Sequence, residues 1–374
     1  MTKQELCIEE VRTKQDLMTF IRFPWKIYQG DRYWVPPLTK DQLQKFNPNH
    51  PFLSHSEMIP FLAYRAGEIV GRIAGIIDHH YIDFHQEKVG FFGFFESIND
   101  REVPEALFLR AQSWLKERGM EKMIGPMNPS TNDECGLLVD GFDFSPCLMM
   151  PYNPPYYPSL LEGFGLKKAK DLYAYLLEKS TFSMDRLARI TGRLVKKEPK
   201  LRVRPIDLRR FDEELKIVKE IYNRAWSKNW GFVPLTEAEI DDLARNLKPL
   251  VVPDLVLFGY WEDEPVGFSV SLPDYNQVLK RLNGKLGPLG ILKFLYFSRK
   301  IRIIRVMLLG VKQSFQKRGV EGLLYIETFK RGIAKGYVGA ECSWILEDNI
   351  LMQRGIEAMG GKLYKTYRIY EANL

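Results

Sequence analysis

The stretches EGFGLKKAKDLYAY (residues 162–175) and EAMGGKLYKTYRIY (residues 357–370) carry Glu, Gly, Lys, Lys and Tyr at matching positions, without a gap, at an offset of 195. Two shorter matches precede them in the same order. Trp34-Val-Pro-Pro-Leu-Thr39 corresponds to Phe232-Val-Pro-Leu-Thr236, with Pro-Leu-Thr offset by 197, and Val70-Gly71 corresponds to Val266-Gly267 at 196. Three matches in order predict a duplicated domain rather than a solenoid, whose repeats run roughly 20 to 50 residues. The length of 374 residues agrees, since one domain takes about 150. The expected copies are residues 1–180 and 200–374, with the basic stretch 179–205 leading into the second.

Each copy reads as strands with helices between them. FLAYRAGEIVGRIAGII predicts two strands about the turn Ala66-Gly67-Glu68, and VGFFGFFES is an apolar run suited to a central strand. Pro104 opens a helical segment in which Leu107, Ala111, Trp114 and Leu115 form one stripe, closed by Gly119. KMIGPM follows as a strand. In the second copy LVLFGYWEDEPVGFSVSL predicts a hairpin and IIRVMLLGV a buried strand. A helix over about 320–335, the strand VGAECSWIL, a helix with Met352, Ile356 and Met359 on one face, and a last strand KLYKTYRIYEA complete it. This is an α/β (α+β) pattern, a mixed sheet flanked by helices in each copy.

Composition excludes several classes. A hydrophobic share of 45% with 27% charged residues argues against disorder. The N-terminus MTKQELCIEEVRTKQ lacks an apolar signal core, and no apolar run approaches the ~20 residues of a membrane span. Cys7, Cys135, Cys147 and Cys342 form no metal-binding spacing and suit a reducing compartment, so a cytoplasmic location is expected. Asp78-His79-His80-Tyr-Ile-Asp83-Phe-His85 matches no standard metal site and reads as a polar loop, so no metal is expected. The net charge of +7 leaves room for an anionic partner.

The second copy places LLGVKQSFQKRGVEGLLYIE between its buried strand and the next helix. Unpaired first-turn amides, a positive helix dipole and a close-approach glycine make such a junction an anion site. Gln316-Lys317-Arg318-Gly319 resembles the Gln/Arg-x-x-Gly-x-Gly/Ala loop by which GNAT (Gcn5-related) acyltransferases hold the pyrophosphate of acyl-CoA. The order Trp344-Ile-Leu-Glu-Asp-Asn349, helix, Gly360-Gly361 and aromatic-rich strand also resembles that family. The resemblance covers both halves and is close to bacterial tandem-GNAT proteins sharing GFFGFFE (90–96) and GPMNPSTNDECGLLVDGFD (125–143). It implies two tandem GNAT-like domains, each with a mixed, mostly antiparallel sheet flanked by helices. It also implies acetyl-CoA or a longer acyl-CoA as co-substrate, bound by Leu309, Val311, Gln316, Lys317, Arg318, Gly319, Gly322 and Asn349.

The sequence departs from the pattern at Glu321, where Gly or Ala is usual, so that side chain is expected to point away or the phosphates to sit differently. Ile356 stands where a tyrosine often protonates the leaving thiolate. The corresponding loop of the first copy, SINDREVP, is acidic. The resulting division puts the acyl donor on the second copy, and the acceptor with some catalytic groups on the first.

Acyl transfer to an amine needs a base and oxyanion donors. Glu96 ends the strand FFGFF, where burial would raise its pKa; a solvated strand end is the alternative. In PMNPSTNDECG, Asn128 and Asn132 suit recognition of a polar or cationic head group, and Asp133 and Glu134 are further catalytic candidates, although such clusters also form turns. Asp348 or Asn349 also suits a helix cap. Trp34 and Trp230 read as core or lid anchors.

Residues 275–320 hold no Asp or Glu but eleven Lys or Arg, at 280, 281, 285, 293, 299, 300, 302, 305, 312, 317 and 318. Within them LGPLGILKFLYFSRKIRII alternates bulky apolar and basic side chains, which suits an interfacial segment, an acyl-channel mouth or a packed helical insertion. The leading expectation is an acyl-CoA-dependent N-acyltransferase acting on an amine, small or lipid-like, with membrane-surface contact through 280–305. The alternatives are an aminoacyl-tRNA-dependent transferase, disfavoured because no aromatic-rich RNA-binding module is evident, and a non-catalytic acyl-CoA- or ligand-binding protein. Nucleic acid is not expected as a partner.

Overall fold

The computed structural model describes residues 5–181, 189, 192–193 and 196–374. Part of the expected linker and the first four residues lie outside that range. The chain divides into two compact units, residues 1–172, 278–294 and 365–374 in one, and 173–277 and 295–364 in the other.

The strands of the first unit are β1 (Leu6–Glu10), β2 (Ser56–Arg65), β3 (Glu68–Asp78), β4 (Val89–Ser97) and β5 (Lys122–Gly125), with a small ribbon of β6 (Met127–Asn128) and β7 (Glu134–Cys135), then β8 (Leu137–Asp140) and the start of β9 (Lys167–Glu178). β1 to β4 pair antiparallel in sequence order, and β5 joins β4 in parallel. Helices α1 (Lys14–Arg22), α2 (Pro24–Ile27), α3 (Thr39–Gln44), α4 (His79–His85), α5 (Glu102–Glu117) and α6 (Tyr157–Phe164) complete this part of the chain. α5 buries Leu107, Ala111, Trp114 and Leu115 as its spacing predicts, with Val103 and Phe108 beside them.

The second unit repeats the plan with the end of β9, β10 (Leu201–Pro205), β11 (Val256–Trp261), β12 (Glu264–Pro273), β13 (Ile303–Val311) and β14 (Gly339–Leu346). Again the first pairs are antiparallel and the last, β13 with β14, is parallel. Its helices are α7 (Phe211–Ala225), α8 (Glu237–Leu247), α9 (Asn276–Leu282), α10 (Pro288–Ser298), α11 (Val320–Ala334) and α12 (Ile350–Ala358), although most of α9 and most of α10 fall in residues assigned to the first unit. Within each unit the strand pairing is mixed and mostly antiparallel, with helices flanking it. The repeated Val-Gly has a packing cause: a Cβ on Gly71 would meet Leu107 of α5 at 2.8 Å, and one on Gly267 would meet Val320 of α11 at 3.2 Å. The repeated threonine opens a helix twice, Thr39 as the first residue of α3 and Thr236 as the capping-box residue of α8.

The last strand, β15 (Lys362–Asn373), returns from Lys365 onward to the first unit, where it pairs antiparallel with β5 and β8. Conversely, β9 of the first copy runs from Tyr173 into the second unit. The two final strands are therefore exchanged. The repeated Glu and Tyr show it directly: the Tyr370 hydroxyl donates to Glu162 at 3.0 Å in the first unit, and the Tyr175 hydroxyl to Glu357 at 3.3 Å in the second. Among the described residues no helix is long and apolar enough to cross a membrane.

Candidate functional site

In the second unit, the register between β13 and β14 runs from Ile303 opposite Gly339 to Val306 opposite Cys342. β13 then continues to Val311, held on its other edge by β12 through Leu309 opposite Ser269 and Val311 opposite Gly267. The strand edge carrying Leu309 and Val311 therefore leaves β14 and leads to the loop before α11. There the Gln316 side-chain amide donates to the Val311 carbonyl at 3.2 Å, tying the loop to the strand end. Lys317 (φ 61°) and Gly319 (φ 89°) both adopt left-handed backbone, and glycine does so at least cost. Gly319 is the N-cap of α11 and supplies no capping side chain. A Cβ at Gly322 would point into open space.

The charges around this turn divide. Lys312 is buried and bound to Glu220 at 2.7 Å and Glu264 at 3.0 Å, so it serves the fold. Lys317 and Arg318 are exposed, and the Arg318 guanidinium lies over the rings of Trp261 and Phe315 at 5.5 and 5.4 Å. Glu321 does not turn away. Burial raises its pKa, while the backbone N–H groups of Glu321 and Lys317 donate to its carboxylate and pull it back. An anionic side chain thus takes amides that a bound phosphate would use. The junction offers an anion two exposed cations beside a tied-down strand end, with the Glu321 carboxylate set against it.

The first unit has the same parallel step, but its opening is closed. β4 and β5 pair from Val89 opposite Lys122 to Phe91 opposite Ile124. Beyond that point the chain itself fills the gap: a Cβ on Gly93 would lie 1.6 Å from the Met127 carbonyl oxygen, and the Phe94 N–H donates to Asn128 Oδ1 at 2.6 Å. The start of α5 is also occupied, since the Asp100 carboxylate accepts from the Glu102 N–H at 2.9 Å and pairs with Arg65 at 2.7 Å. The chain's own groups thus occupy both positions.

Glu96, at the end of β4, sits in a buried polar cluster. Its Oε2 accepts from the Tyr157 hydroxyl at 2.7 Å and the Tyr28 hydroxyl at 3.0 Å, and its Oε1 lies 3.7 Å from Arg72 Nη2. Tyr157 also accepts from the Ser97 N–H at 2.8 Å, and Tyr28 has a second acceptor, the Tyr152 carbonyl, at 3.0 Å. Burial pushes the Glu96 carboxyl above its usual 4.5, opposed by Arg72 and the two tyrosines. It pushes both tyrosines upward as well, so they remain proton carriers. The geometry accommodates both states of Glu96. As a carboxylate it accepts from Tyr28; as an acid it can donate to Tyr28, which then donates to Tyr152.

The ribbon of β6 and β7 brings Asn128 opposite Glu134. Asn128 is engaged through both its side chain and its carbonyl, which accepts from Lys45 at 2.7 Å. Asp133 accepts from the Ser130 hydroxyl at 2.7 Å, whose oxygen accepts from the Asn132 N–H, so this segment forms its own turn. Asn349 caps α12, accepting from the Met352 N–H at 3.3 Å. Among the described residues no group of three or more His, Cys, Asp or Glu is placed to hold a metal. Sequence reading missed Tyr28, Arg72 and Tyr157, and in the second unit the buried Arg305, Glu341 and Ser343, where Arg305 Nε donates to Ser343 and Ser343 to Glu341. The available signal was a lone charge inside an apolar strand, as in IVGRIAGII and VGAECSWIL.

Two relatives match nearly end to end. Protein YghO of Escherichia coli (strain K12) is 36% identical over 96% of this chain and 94% of its own length. The bacterial ceramide synthase of Caulobacter vibrioides is 37% identical over 100% of this chain and 99% of its own. A tandem GNAT protein from the clavulanic acid biosynthesis pathway superposes with a TM-score of 0.58 at 11% identity, over 99% of this chain and 98% of that one. The chain belongs to the tandem-GNAT acyltransferase family. A GCN5-related glucosamine N-acetyltransferase region of a fungal multi-domain β-N-acetylglucosaminidase gives 0.59 at 14% identity, covering 100% of this chain and 38% of that one. At such identities the solved structures speak for the fold alone. No family model matches the sequence. Membership in the tandem-GNAT family agrees with the open strand edge of β13, and supports acyl transfer as the general activity.

Proposed function

We propose that the protein transfers an acyl group from acyl-CoA to the amine of a long-chain, lipid-like acceptor in the cytoplasm. The observation that carries this reading is the free edge of β13 running into the basic loop before α11, whereas the equivalent opening of the first unit is filled by its own chain. The acceptor class draws on the relative named bacterial ceramide synthase, at 37% identity along the whole chain. Lys317, Arg318 and the amides from Gly319 to Gly322 would hold the pyrophosphate. Backbone donors at Leu309 and Val311 would meet the thioester, Gln316 would shape the loop, and Asn349 would contribute from the start of α12.

Acyl-CoA supplies the activated thioester. The amine nitrogen attacks its carbonyl carbon, the N–C bond forms, the C–S bond breaks, and coenzyme A leaves as a thiolate. Glu96 is assigned the proton that the amine releases, with Tyr28 and Tyr157 holding the carboxylate in place. Glu134 and Asp133 are kept as further candidates for proton transfer, and Asn132 and Asn128 are assigned to the acceptor's polar head.

Thiol release measured with acetyl-CoA and palmitoyl-CoA, each with and without sphinganine, tests this. Amine-dependent release with the long-chain donor is expected, and Glu96→Gln should lower kcat by about a hundredfold with little change in KM. Because burial raises the Glu96 pKa, the wild-type kcat/KM should fall with decreasing pH, through a midpoint above 4.5 that is lost in the variant. Absence of amine-dependent release, or a glutamine variant at full rate, would overturn the proposal.

A further inference from the structure

α10 (Pro288–Ser298) is an 11-residue helix with no buried residue. It exposes Leu289 at 75%, Leu292 at 65%, and Ile291, Leu295 and Tyr296 each at half or more, with Leu286 exposed just before it. Apolar side chains at this density on one short helix are not normal soluble surface. Its root, by contrast, is firmly held within the first unit. The Trp25 indole donates to Asn283 at 2.9 Å, the Thr39 N–H donates to the Gly284 carbonyl at 3.1 Å, and Lys280 donates to Ser145 at 3.1 Å. An anchored turn thus presents an uncovered apolar helix.

The charge around it points to one class of occupant. No acidic residue occurs over 275–320, while Arg281, Lys285, Lys293, Arg299, Lys300 and Arg302 are all exposed. Arg281, Lys285 and Lys293 line an open pocket of about 500 Å³ together with Leu282 and Leu289. Cations that rim exposed leucines match a surface with anionic head groups outside and acyl chains beneath. We propose that α10 and the pocket at its base dock the protein on an anionic phospholipid bilayer, the helix lying in the interface without crossing it. Docking would bring the protein to an acceptor dissolved in that bilayer. This purpose rests on the lipid-like acceptor proposed above, but the docking is read without turnover, so either can fail alone.

Sedimentation of the full chain with vesicles tests it. The wild type should bind vesicles of equal phosphatidylglycerol and phosphatidylcholine, and bind phosphatidylcholine alone at least about tenfold less. The triple variant Leu289→Ser, Leu292→Ser, Leu295→Ser and the double variant Lys285→Glu, Lys293→Glu should each lose about tenfold in binding, at an unchanged melting temperature. Equal binding to both vesicles, or full binding by the leucine variant, would overturn the proposal. So would light scattering showing a dimer that the leucine variant converts to a monomer, since a second copy would then cover the helix.

Discussion

Glu321 places a carboxylate on the backbone N–H of Lys317, within the loop assigned to pyrophosphate. Binding acyl-CoA there requires this side chain to give up its amides, or to be neutralised. Glu321→Gln removes the like charge while keeping an acceptor for the same N–H groups. At a half-buried site the charge term is screened, so a gain of about fivefold in acyl-CoA affinity is expected by calorimetry. Unchanged or weaker affinity would mean that the phosphates sit elsewhere. Glu96 was legible as a candidate because it ends an apolar strand. Its partners were not, since Tyr28, Arg72 and Tyr157 are brought to it by three other segments of chain, and no local pattern encodes that meeting.

At the scale of elements, period and punctuation were enough for the hairpins, for β4, for the stripe of α5 and for α11. The exchange of final strands was not legible, and the reason is physical. β9 and β15 carry the same pattern, which is why they align as a repeat, and an alternation of buried and exposed residues fits either sheet equally. Only the contacts decide, with Tyr370 bonded to Glu162 and Tyr175 to Glu357. β15 brings Tyr367, Ile369 and Tyr370 into the first unit with at most 1% of their surface exposed. Burial of such side chains contributes roughly 2 to 3 kcal/mol each, so removing all three costs about 6 to 9 kcal/mol, comparable with a domain's usual reserve of about 5 to 15 kcal/mol. A chain ending at Tyr364 should therefore lose the protected core of its first unit, seen as rapid proteolysis between Phe61 and Phe108, whereas Tyr370→Phe should cost about 1 kcal/mol. A truncated chain that resisted protease as the full chain does would refute the strand exchange.

For the molecule as a whole, duplication has left two copies of one sheet with different openings. The first is filled by Met127 and Asn128 and carries an acid-capped helix, while the second keeps a free strand edge and a basic loop. The acidic sequence SINDREVP foreshadowed the loss of the first site. The plug did not show, because PMNPSTNDECG reads as an ordinary turn and its insertion against Gly93 is a tertiary event. We assign donor binding to the second unit and proton transfer to Glu96 of the first. Titration calorimetry with palmitoyl-CoA, set beside turnover of the same preparations, tests this assignment most directly. Lys317→Ala with Arg318→Ala should weaken binding about tenfold or more, while Glu96→Gln should bind as the wild type does but scarcely turn over. Undiminished binding after loss of both cations, or binding lost with Glu96→Gln, would contradict it.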